Sequence, residues 1–383
     1  MKIAFVHKRF GLDGGTERQL EQLVRGLRDR GHDVHVHAGT VDPRFARDRW
    51  GTFHSLPAGG PGAGLRALRL LLGAALRVRL SAYDVVVHMG RTGPRDVYRA
   101  GGGCHRLWYE MLRARCRSGL QRLRLLLSLR HRIALWHERR ALTTAQVVVG
   151  SERARQDLVA SYGALADGVA VIPNAVDLDR FHPRWRRLAF GEQREQLGLG
   201  PEEVVILFVG SDFWRKGLDR VLAALPLCAP HGEEPRLLVL GDDARRDTFE
   251  AQARELGVRG RVTFLPHHAA PEKLYATVDL LVLPTRHDPF ANVTLEALAT
   301  GVPVVTSATN GASAEIGAGP ALVVLDDPDD HEALADAMTA LLAPTELPAR
   351  REAARAAAER HGEAEALDRW NALLVQAAEA RVG

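Results

Sequence analysis

The sequence predicts an α/β fold with two Rossmann-like domains, each built on a parallel β-sheet. Short apolar runs alternate with longer amphipathic segments, as expected for parallel strands covered by helices on both faces. A length of 383 residues is long for one hydrophobic core and sufficient for two. Charge also divides the chain: residues 1–172 carry 29 Lys+Arg and 14 Asp+Glu (+15), whereas the remainder carries 22 and 33 (−11).

Each apolar run is a predicted strand. In the first half the predicted strands are Ile3–His7, Val34–His37, Val85–His88, Val147–Gly150 and Val169–Ile172. In the second half they are Val204–Val209, Leu237–Leu240, Val262–Leu265, Leu280–Leu283, Val304–Thr306 and Leu322–Leu325. The first helix follows the first strand, and Thr16 and Gln19 form a possible capping box at its start. Ligands in such folds bind beyond the carboxyl ends of the strands, so the loops that follow strands are the candidate sites.

Composition excludes several other classes of protein. Cys104, Cys116 and Cys228 are too few and too scattered for a disulfide framework or a zinc site, so we expect a reduced, cytoplasmic setting. The apolar run Met1–His7 is interrupted by charges, which favours a strand over a signal peptide. No run reaches the roughly 18 apolar residues that span a bilayer. The basic half lacks a nucleic-acid-binding motif or an aromatic stacking pattern, so we expect no nucleic-acid partner.

The segment Asp288–Glu296 places two carboxylates eight positions apart, across a loop that becomes a helix. Asn292 is the predicted helix cap, and Gly301 ends the helix. The backbone N–H groups of Ala291–Thr294 would then face the gap between the carboxylates. Such a gap offers partial positive charge to an anion and two acceptors to hydroxyls, which suits a sugar attached to a phosphate.

A second candidate loop, Phe208–Asp219, follows a predicted strand and opens a predicted helix. It contains Lys216, one of only four lysines in a chain whose other basic residues are all arginine. Free N–H groups at the helix start, together with Lys216 and Arg215, could surround a diphosphate without a metal. The alternative interpretation is a basic surface turn.

The acidic pair with seven residues between its members resembles the signature of retaining GT-B glycosyltransferases. The first position of that signature is usually Glu and is Asp288 here. The loop Phe208–Asp219 is similar to the diphosphate-binding loop of the same enzymes, particularly the glucosyltransferases of the lipopolysaccharide core. The resemblance extends over nearly the whole chain, including the Gly14–Gly15 loop, the linker Ile172–Pro183 and the Asn310–Gly311 region.

This resemblance implies a GT-B architecture, in which the sheets of two Rossmann-like domains face each other across a cleft. The implied domains are an N-terminal acceptor domain at 1–172 and a nucleotide-sugar donor domain at 173–365. A C-terminal helix at 366–383 is expected to return to the N-terminal domain.

The resemblance also implies roles for individual residues. Asp288 would bind hydroxyls of the transferred sugar, and Glu296 would bind the nucleotide ribose. The implied catalytic residues are His105, Lys216 and Asp288. The implied substrate-binding residues are Gly14, Gly15, Asp96, Ser211, Arg215, Lys216, Asp288, Phe290, Ala291, Asn292, Val293 and Glu296. Ser211 stands where these enzymes often have an Arg, which Arg215 could replace.

The expected reaction is transfer of a hexose with retention, best matched by UDP-glucose as donor and a lipid-linked glycan such as the lipopolysaccharide core as acceptor. We expect no catalytic metal and no cofactor, because the acidic pair Asp327 and Asp329 flanks a proline and is more simply a turn. The alternatives are a GT-B sugar-nucleotide epimerase, an inverting glycosyltransferase and a noncatalytic nucleotide-sugar binding protein.

Two arginine-rich segments of the first half indicate an anionic membrane surface as a partner. On a helical wheel Arg66, Arg69 and Arg77 lie opposite a row of leucines and alanines. Residues 106–140 contain ten Arg, and their only acids are Glu110 and Glu138. Such surfaces attract anionic headgroups, so we expect peripheral association with the inner face of the cytoplasmic membrane. The alternative is a pair of ordinary solvated helix faces.

Overall fold

The computed structural model describes residues 1–11, 14–45, 51–93, 95–229, 232–265 and 270–382. The chain forms two compact units: residues 1–174 with 364–383, and residues 175–363. Each unit is a parallel sheet covered by helices. The predicted fold class, two Rossmann-like α/β domains, is therefore confirmed.

The first unit contains a seven-stranded sheet in the order β3-β2-β1-β4-β5-β6-β7. Its strands are β1 (Lys2–Phe10), β2 (Asp33–Val41), β3 (Thr52–Ser55), β4 (Val85–Met89), β5 (Asp96–Arg99), β6 (Ala145–Val149) and β7 (Ala170–Val171). All five predicted strands are present, and β1 and β2 run further than predicted. Two strands escaped prediction. The edge strand β3 has four residues that are only partly buried and not predominantly apolar, and β5 is a four-residue strand that begins with Asp96 and ends with Arg99, so it contains no apolar run.

The helices of the first unit cover both faces of this sheet. They are α1 (Gly15–Asp29), α2 (Ala63–Arg77), α3 (His105–Arg115), α4 (Gly119–Leu127), α5 (Leu129–Thr144) and α6 (Glu152–Tyr162). The predicted capping box of Thr16 and Gln19 is wrong. Helix α1 already begins at Gly15, its N-cap is Gly14, and no side chain caps it. Gln19 is instead buried with the apolar face of the helix.

The second unit contains a six-stranded sheet in the order β10-β9-β8-β11-β12-β13. Its strands are β8 (Val205–Val209), β9 (Arg236–Leu240), β10 (Val262–Leu265), β11 (Leu280–Leu283), β12 (Val304–Ser307) and β13 (Leu322–Leu325). Its helices are α7 (Arg184–Gln196), α8 (Phe213–Lys216), α9 (Leu218–Ala224), α10 (Arg246–Glu255), α11 (Pro271–Tyr275), α12 (Asn292–Ala299), α13 (Gly311–Ile316), α14 (His331–Leu341) and α15 (Leu347–Glu359). Every predicted strand of this half is present. The central strands are nearly completely buried, which is why their apolar runs are so clear in the sequence.

The last helix, α16 (Glu363–Val382), packs in the first unit although it follows the second in sequence. Trp370 and Leu374 are buried in the core of the first unit with strand residues such as Ile3 and Phe5. Leu367 lies against Gly26, where even one additional carbon would clash with it. Gly26 thus allows α16 to approach α1 closely. The final residue, 383, lies outside the described residues.

Candidate functional site

Asp288 lies in the loop between β11 and α12, and it is the centre of a buried ion cluster in the second unit. Its side chain is only 7% exposed. Lys216 Nζ lies 2.6 Å from Asp288 Oδ2, and Arg215 Nη1 donates to the same oxygen at 2.8 Å. The two sequence motifs therefore meet in space, because α8 follows β8 and the Asp288 loop follows the neighbouring strand β11.

The backbone fixes both cations beside Asp288. Asp212 caps α8 by accepting the N–H of Arg215, and Gly217 ends that short helix with φ +87°. A Cβ at Gly217 would lie 2.1 Å from the carbonyl oxygen of Pro284, so only glycine allows the helix end to meet the loop after β11. Thr285 Oγ1 also donates to the carbonyl of Arg215, at 2.9 Å.

The cluster has two cations and one buried carboxylate. Burial by itself acts to raise the pKa of Asp288, but Lys216 and Arg215 hold that pKa well below its ordinary value. Burial lowers the pKa of Lys216 despite the attraction of Asp288. Asp288 is therefore ionised beside both cations in a poorly solvated place. Arg215 Nε also lies 3.8 Å from Asp212 Oδ2, but Lys216 and Arg215 have more N–H donors than these contacts use, and an anion such as a phosphate would accept them.

Helix α12 starts beside this cluster, but it is not capped as predicted. Its N-cap is Ala291 and no side-chain hydrogen bond from Asn292 caps it, so that prediction is wrong. Asn310, distant in sequence, instead accepts the N–H of Ala291 at 3.2 Å. The N–H of Phe290 donates to Asp288 Oδ1 at 3.1 Å. The start of α12 is thus held by side chains, and two of the amides expected to face the gap, those of Ala291 and Thr294, already have intramolecular acceptors.

Glu296 lies one turn into α12 and is 7% exposed. The hydroxyl of Tyr275 donates to its Oε2 at 2.9 Å, which leaves acceptor capacity on the carboxylate. Ser211 lies between β8 and α8 and is exposed. Arg215 of the same loop pairs with Asp288, and its replacement of the Arg that related enzymes have at Ser211 stays a prediction. Val293 is half-buried in the first turn of α12.

The acidic pair Asp327 and Asp329 forms a turn, as predicted. The N–H of Asp329 donates to Asp327 Oδ1 at 2.9 Å, and the Asp329 carboxylate is paired with Arg220 at 2.6 Å. Within the described part of the chain, no group of three or more His, Cys, Asp or Glu side chains could hold a metal ion. The metal-free reaction stays a prediction.

A cavity of about 690 Å³ lies within the first unit, at the carboxyl-end edge of its sheet. Its walls include the end of β1, the start of α1, the segment Gly101–Gly103 and parts of α2 and α5. Gly14 and Gly15 lie beside it at the start of α1. A Cβ at Gly14 would lie 2.3 Å from Glu17 Oε2. Because a carboxylate lies against the glycine pair, this loop is a poor phosphate cradle and is better suited to sugar hydroxyls.

Glu17 is a cavity residue that the sequence did not single out. It is 8% exposed and lies 3.6 Å from His7 Nε2 and 3.7 Å from Lys8 Nζ. Burial acts to raise its pKa, but the nearby His7 and the charge of Lys8 lower it to about 2. Glu17 is therefore ionised at neutral pH. The only signal in the sequence was its place in the first turn of α1, which fits an ordinary helix start equally well.

His105 begins α3 and is buried, with 4% of its surface exposed. It is not among the residues that line the cavity. Arg91 Nη2 donates to its Nδ1 at 2.9 Å, and its Nε2 lies 3.1 Å from His131 Nδ1. Burial first, and then the charge of Arg91, lowers the pKa of His105 to about 3. A role for His105 in the reaction would therefore act through Arg91, which does line the cavity.

Asp96 has a different place from the one predicted. It is the first residue of β5, so it lies at the amino-end edge of the sheet, opposite the cavity. Its carboxylate accepts the N–H of Val86 at 3.2 Å and pairs with Arg381 at 3.1 Å. Asp96 thus links β4 and β5 to α16, and its assignment to substrate binding is wrong. The sequence placed it on the segment leading to His105 but could not show at which edge of the sheet it lies.

Each half of the chain matches a known protein family. Residues 13–180 match the family described as Glycosyltransferase Family 4, and residues 189–360 match the family described as Glycosyl transferases group 1. Both halves of the chain therefore match families of glycosyltransferases. The match to group 1 covers the whole Asp288 cluster and Glu296.

Individual relatives agree with this assignment. A D-inositol 3-phosphate glycosyltransferase of Xylanimonas cellulosilytica is 37% identical over 242 residues, which cover 59% of this chain and 55% of that protein. The chain thus spans about half the length of this curated relative. Among solved structures, WaaG, a glycosyltransferase involved in lipopolysaccharide biosynthesis, has a TM-score of 0.78 and 25% identity, with 96% of this chain and 98% of WaaG covered. Anabaena HepE in complex with UDP-glucose has a TM-score of 0.71 and 20% identity, with 100% and 99% covered.

Replacement of Lys216 by Ala tests the ion cluster. If Lys216 neutralises the leaving phosphate, kcat of the Lys216→Ala variant should fall by about 10² to 10³, as for the loss of one transition-state donor. Lys273→Ala, a lysine of α11 in the same unit, is the matched control. Steady-state kinetics measures kcat of each variant, and circular dichroism checks that each variant is folded. Near-normal turnover of a folded Lys216→Ala variant would reject the assignment.

Replacement of Glu296 by Gln tests the proposed contact to ribose. The amide keeps an acceptor for Tyr275 but loses the charge, so nucleotide binding should weaken by about tenfold. Because the partner is the ribose, Kd should change equally for the nucleotide diphosphate and for its sugar ester. Calorimetry with both ligands measures this ratio. An unchanged Kd, or a change confined to the sugar ester, would contradict the role.

Proposed function

We propose that this glycosyltransferase moves a hexose, with retention of anomeric configuration, from a uridine diphosphate donor to a sugar of a lipid-linked glycan. The observation that carries the proposal is the buried contact of Asp288 with Lys216 and Arg215. It brings two cations for a diphosphate together with a carboxylate for sugar hydroxyls. UDP-glucose and the lipopolysaccharide core are the preferred donor and acceptor, supported by the similarity to WaaG and by the UDP-glucose bound to HepE.

In the proposed reaction the bond between the anomeric carbon and the donor phosphate oxygen breaks, and the acceptor oxygen bonds to that carbon on the same face. The proton of the acceptor hydroxyl passes to the leaving phosphate. Lys216 and Arg215 stabilise the charge that develops on this phosphate, and no protein nucleophile or metal is required. Asp288 orients the sugar by accepting hydrogen bonds from its hydroxyls. To do so, it must give up part of its contact with Lys216 and Arg215.

Product stereochemistry separates this proposal from its alternatives. UDP-α-glucose and a lipopolysaccharide-core acceptor should give an α-linked product, identified by the proton coupling constant at the anomeric carbon. A β-linked product would show an inverting enzyme. Epimerised donor without acceptor would show an epimerase, and tight donor binding without turnover would show a binding protein. Each of these three outcomes contradicts the proposed retaining transfer.

We propose that the first unit binds a membrane surface and meets its acceptor there. Helix α4 contains no buried residue, although it carries several leucines. Leu120, Leu123, Leu126 and Leu127 are 50–66% exposed. On α2 the packed residues are Leu70, Gly73 and Ala74. The predicted apolar row of this helix does not pack as a whole, and Leu65, Leu72 and Leu76 are exposed.

Arginines accompany these leucines. Arg122 and Arg124 lie on α4 and are exposed, and the neighbouring segments contribute to the +15 charge of residues 1–172. A helix that has no buried residue and is rich in leucine and arginine is unusual on a surface that contacts only water. It fits the interface of an anionic bilayer, where leucines enter the headgroup region and arginines meet phosphates. No helix among the described residues is long and apolar enough to cross a membrane.

Vesicle sedimentation tests this surface. The double variant Leu123→Gln, Leu127→Gln should lose most binding to anionic vesicles, while Leu188→Gln, Leu227→Gln, which changes two leucines of similar exposure in the second unit, should keep it. Arg122→Gln with Arg124→Gln should weaken binding mainly at low salt, because such attraction is screened over about 8 Å at physiological ionic strength. Donor Kd should not change. Equal sedimentation of the α4 variants and the parent would remove α4 from the membrane surface.

A further inference from the structure

The cavity of the first unit is strongly cationic. Among the described residues of its lining, five side chains are basic and Glu17 is the only acidic one, which gives these residues a net charge of +4. The basic residues are Lys8, Arg9, Arg66, Arg91 and Arg130. Thr16, Thr40 and the segment Gly101–Gly103 supply neutral polar surface, whereas the buried hydroxyl of Thr92 already donates to the carbonyl of Val6. A concave site of this size with one sign of charge concentrates ligands of the opposite sign.

Arg91 is the cation that the fold holds most firmly in this wall. A guanidinium can only donate, so the contact of Arg91 Nη2 with His105 Nδ1 fixes the neutral tautomer of His105. The Nε2–H of His105 then points to His131 Nδ1. Glu138 accepts the backbone N–H of His105 and of Arg106, at 2.5 and 3.1 Å. His105 is thus a positioning residue for the guanidinium of Arg91.

The charge of Arg91 interacts with that of the buried Glu138, but no described carboxylate pairs with the guanidinium directly. Neither Arg91 nor Arg130 forms an ion pair in the described part of the chain, whereas Lys8 lies 3.7 Å from Glu17 and Arg66 donates to the carbonyl of Gly60. The buried Nε of Arg91 also has no hydrogen-bond partner among the described residues. A positioned guanidinium without its acceptors carries a cost that a bound anion would remove.

We propose that this cavity binds the acceptor through an anionic group, a phosphate or a carboxylate on the acceptor sugar, held by Arg91 and Arg130. Glu17, Thr16 and Thr40 accept hydrogen bonds from the sugar hydroxyls. This proposal rests on the proposed function, because the ligand of this cavity is identified as the acceptor only if the Asp288 cluster of the second unit binds the donor. It adds that a neutral glycan lacking the anionic group is a poor acceptor.

Direct binding tests the proposal without lipid. Calorimetric or NMR titration should show that glucose 6-phosphate binds at least about tenfold more tightly than glucose, the difference expected for charge-assisted hydrogen bonds to an anion. Glucuronic acid serves as the carboxylate probe, and comparison of the two ligands identifies which anion the site prefers. Equal binding of glucose and both anionic ligands would overturn the proposal.

Variants locate the site. Arg91→Gln and Arg130→Gln should each weaken binding of glucose 6-phosphate by about tenfold or more. Arg132→Gln is the matched control, because Arg132 is an exposed arginine on the same helix as Arg130 and does not line the cavity. The Kd for UDP should be the same in all three. Unchanged glucose 6-phosphate binding in both Arg91→Gln and Arg130→Gln would overturn the site.

The positioning role of His105 needs a separate readout. His105→Phe should weaken binding of glucose 6-phosphate in the parent but have little further effect in the Arg91→Gln background. Additive effects in the double variant would show a merely structural role for His105. Binding of glucose 6-phosphate without any binding of UDP-glucose would retain the anion site and reject the proposed function. The reverse result would reject the anion site alone.

Discussion

The contact of one buried carboxylate with two cations organises the candidate donor site in the second unit. Asp288 is held by Lys216 and Arg215, which approach from the loop after the neighbouring strand. That approach depends on a glycine at Gly217 and on the hydrogen bond of Thr285 to the carbonyl of Arg215. Both cations have N–H donors beyond those that Asp288 and Asp212 accept, and a bound phosphate would accept them. The cluster is thus preorganised for an anion.

The cavity of the first unit also brings positive charge together. Its described lining includes five cations and one carboxylate, and the guanidinium of Arg91 is oriented by a neutral histidine rather than by an acid. An acid at that place would neutralise Arg91 and compete with a ligand, whereas a histidine fixes its direction and leaves its charge available. Charge therefore separates the two proposed substrates: donor phosphates are assigned to the Asp288 cluster, and an acceptor anion to the Arg91 wall.

The sequence predicted the strands well and the local details poorly. Strands such as Leu280–Leu283 are buried on both faces, so burial itself produces the apolar run. The edge strand Thr52–Ser55 lacks that burial and was missed. The meeting of Lys216 with Asp288 was suggested only by similarity to a family, since strand order decides which loops are neighbours. The cap of α12 comes from Asn310, which lies in another loop. Asp96 was misplaced because periodicity does not reveal which end of a strand faces a ligand.

The central claim is that Lys216 and Arg215 bind the donor phosphate while Asp288 serves the sugar. Calorimetric titration of UDP, which has no sugar beyond its ribose, into the parent and into Asp288→Asn tests it most directly. Loss of the carboxylate frees both cations, so Asp288→Asn should bind UDP as tightly as the parent or more tightly, while its turnover with UDP-glucose falls. UDP affinity that drops in Asp288→Asn as far as it does in Lys216→Ala would contradict the account, because Asp288 would then serve the phosphate site and not the sugar.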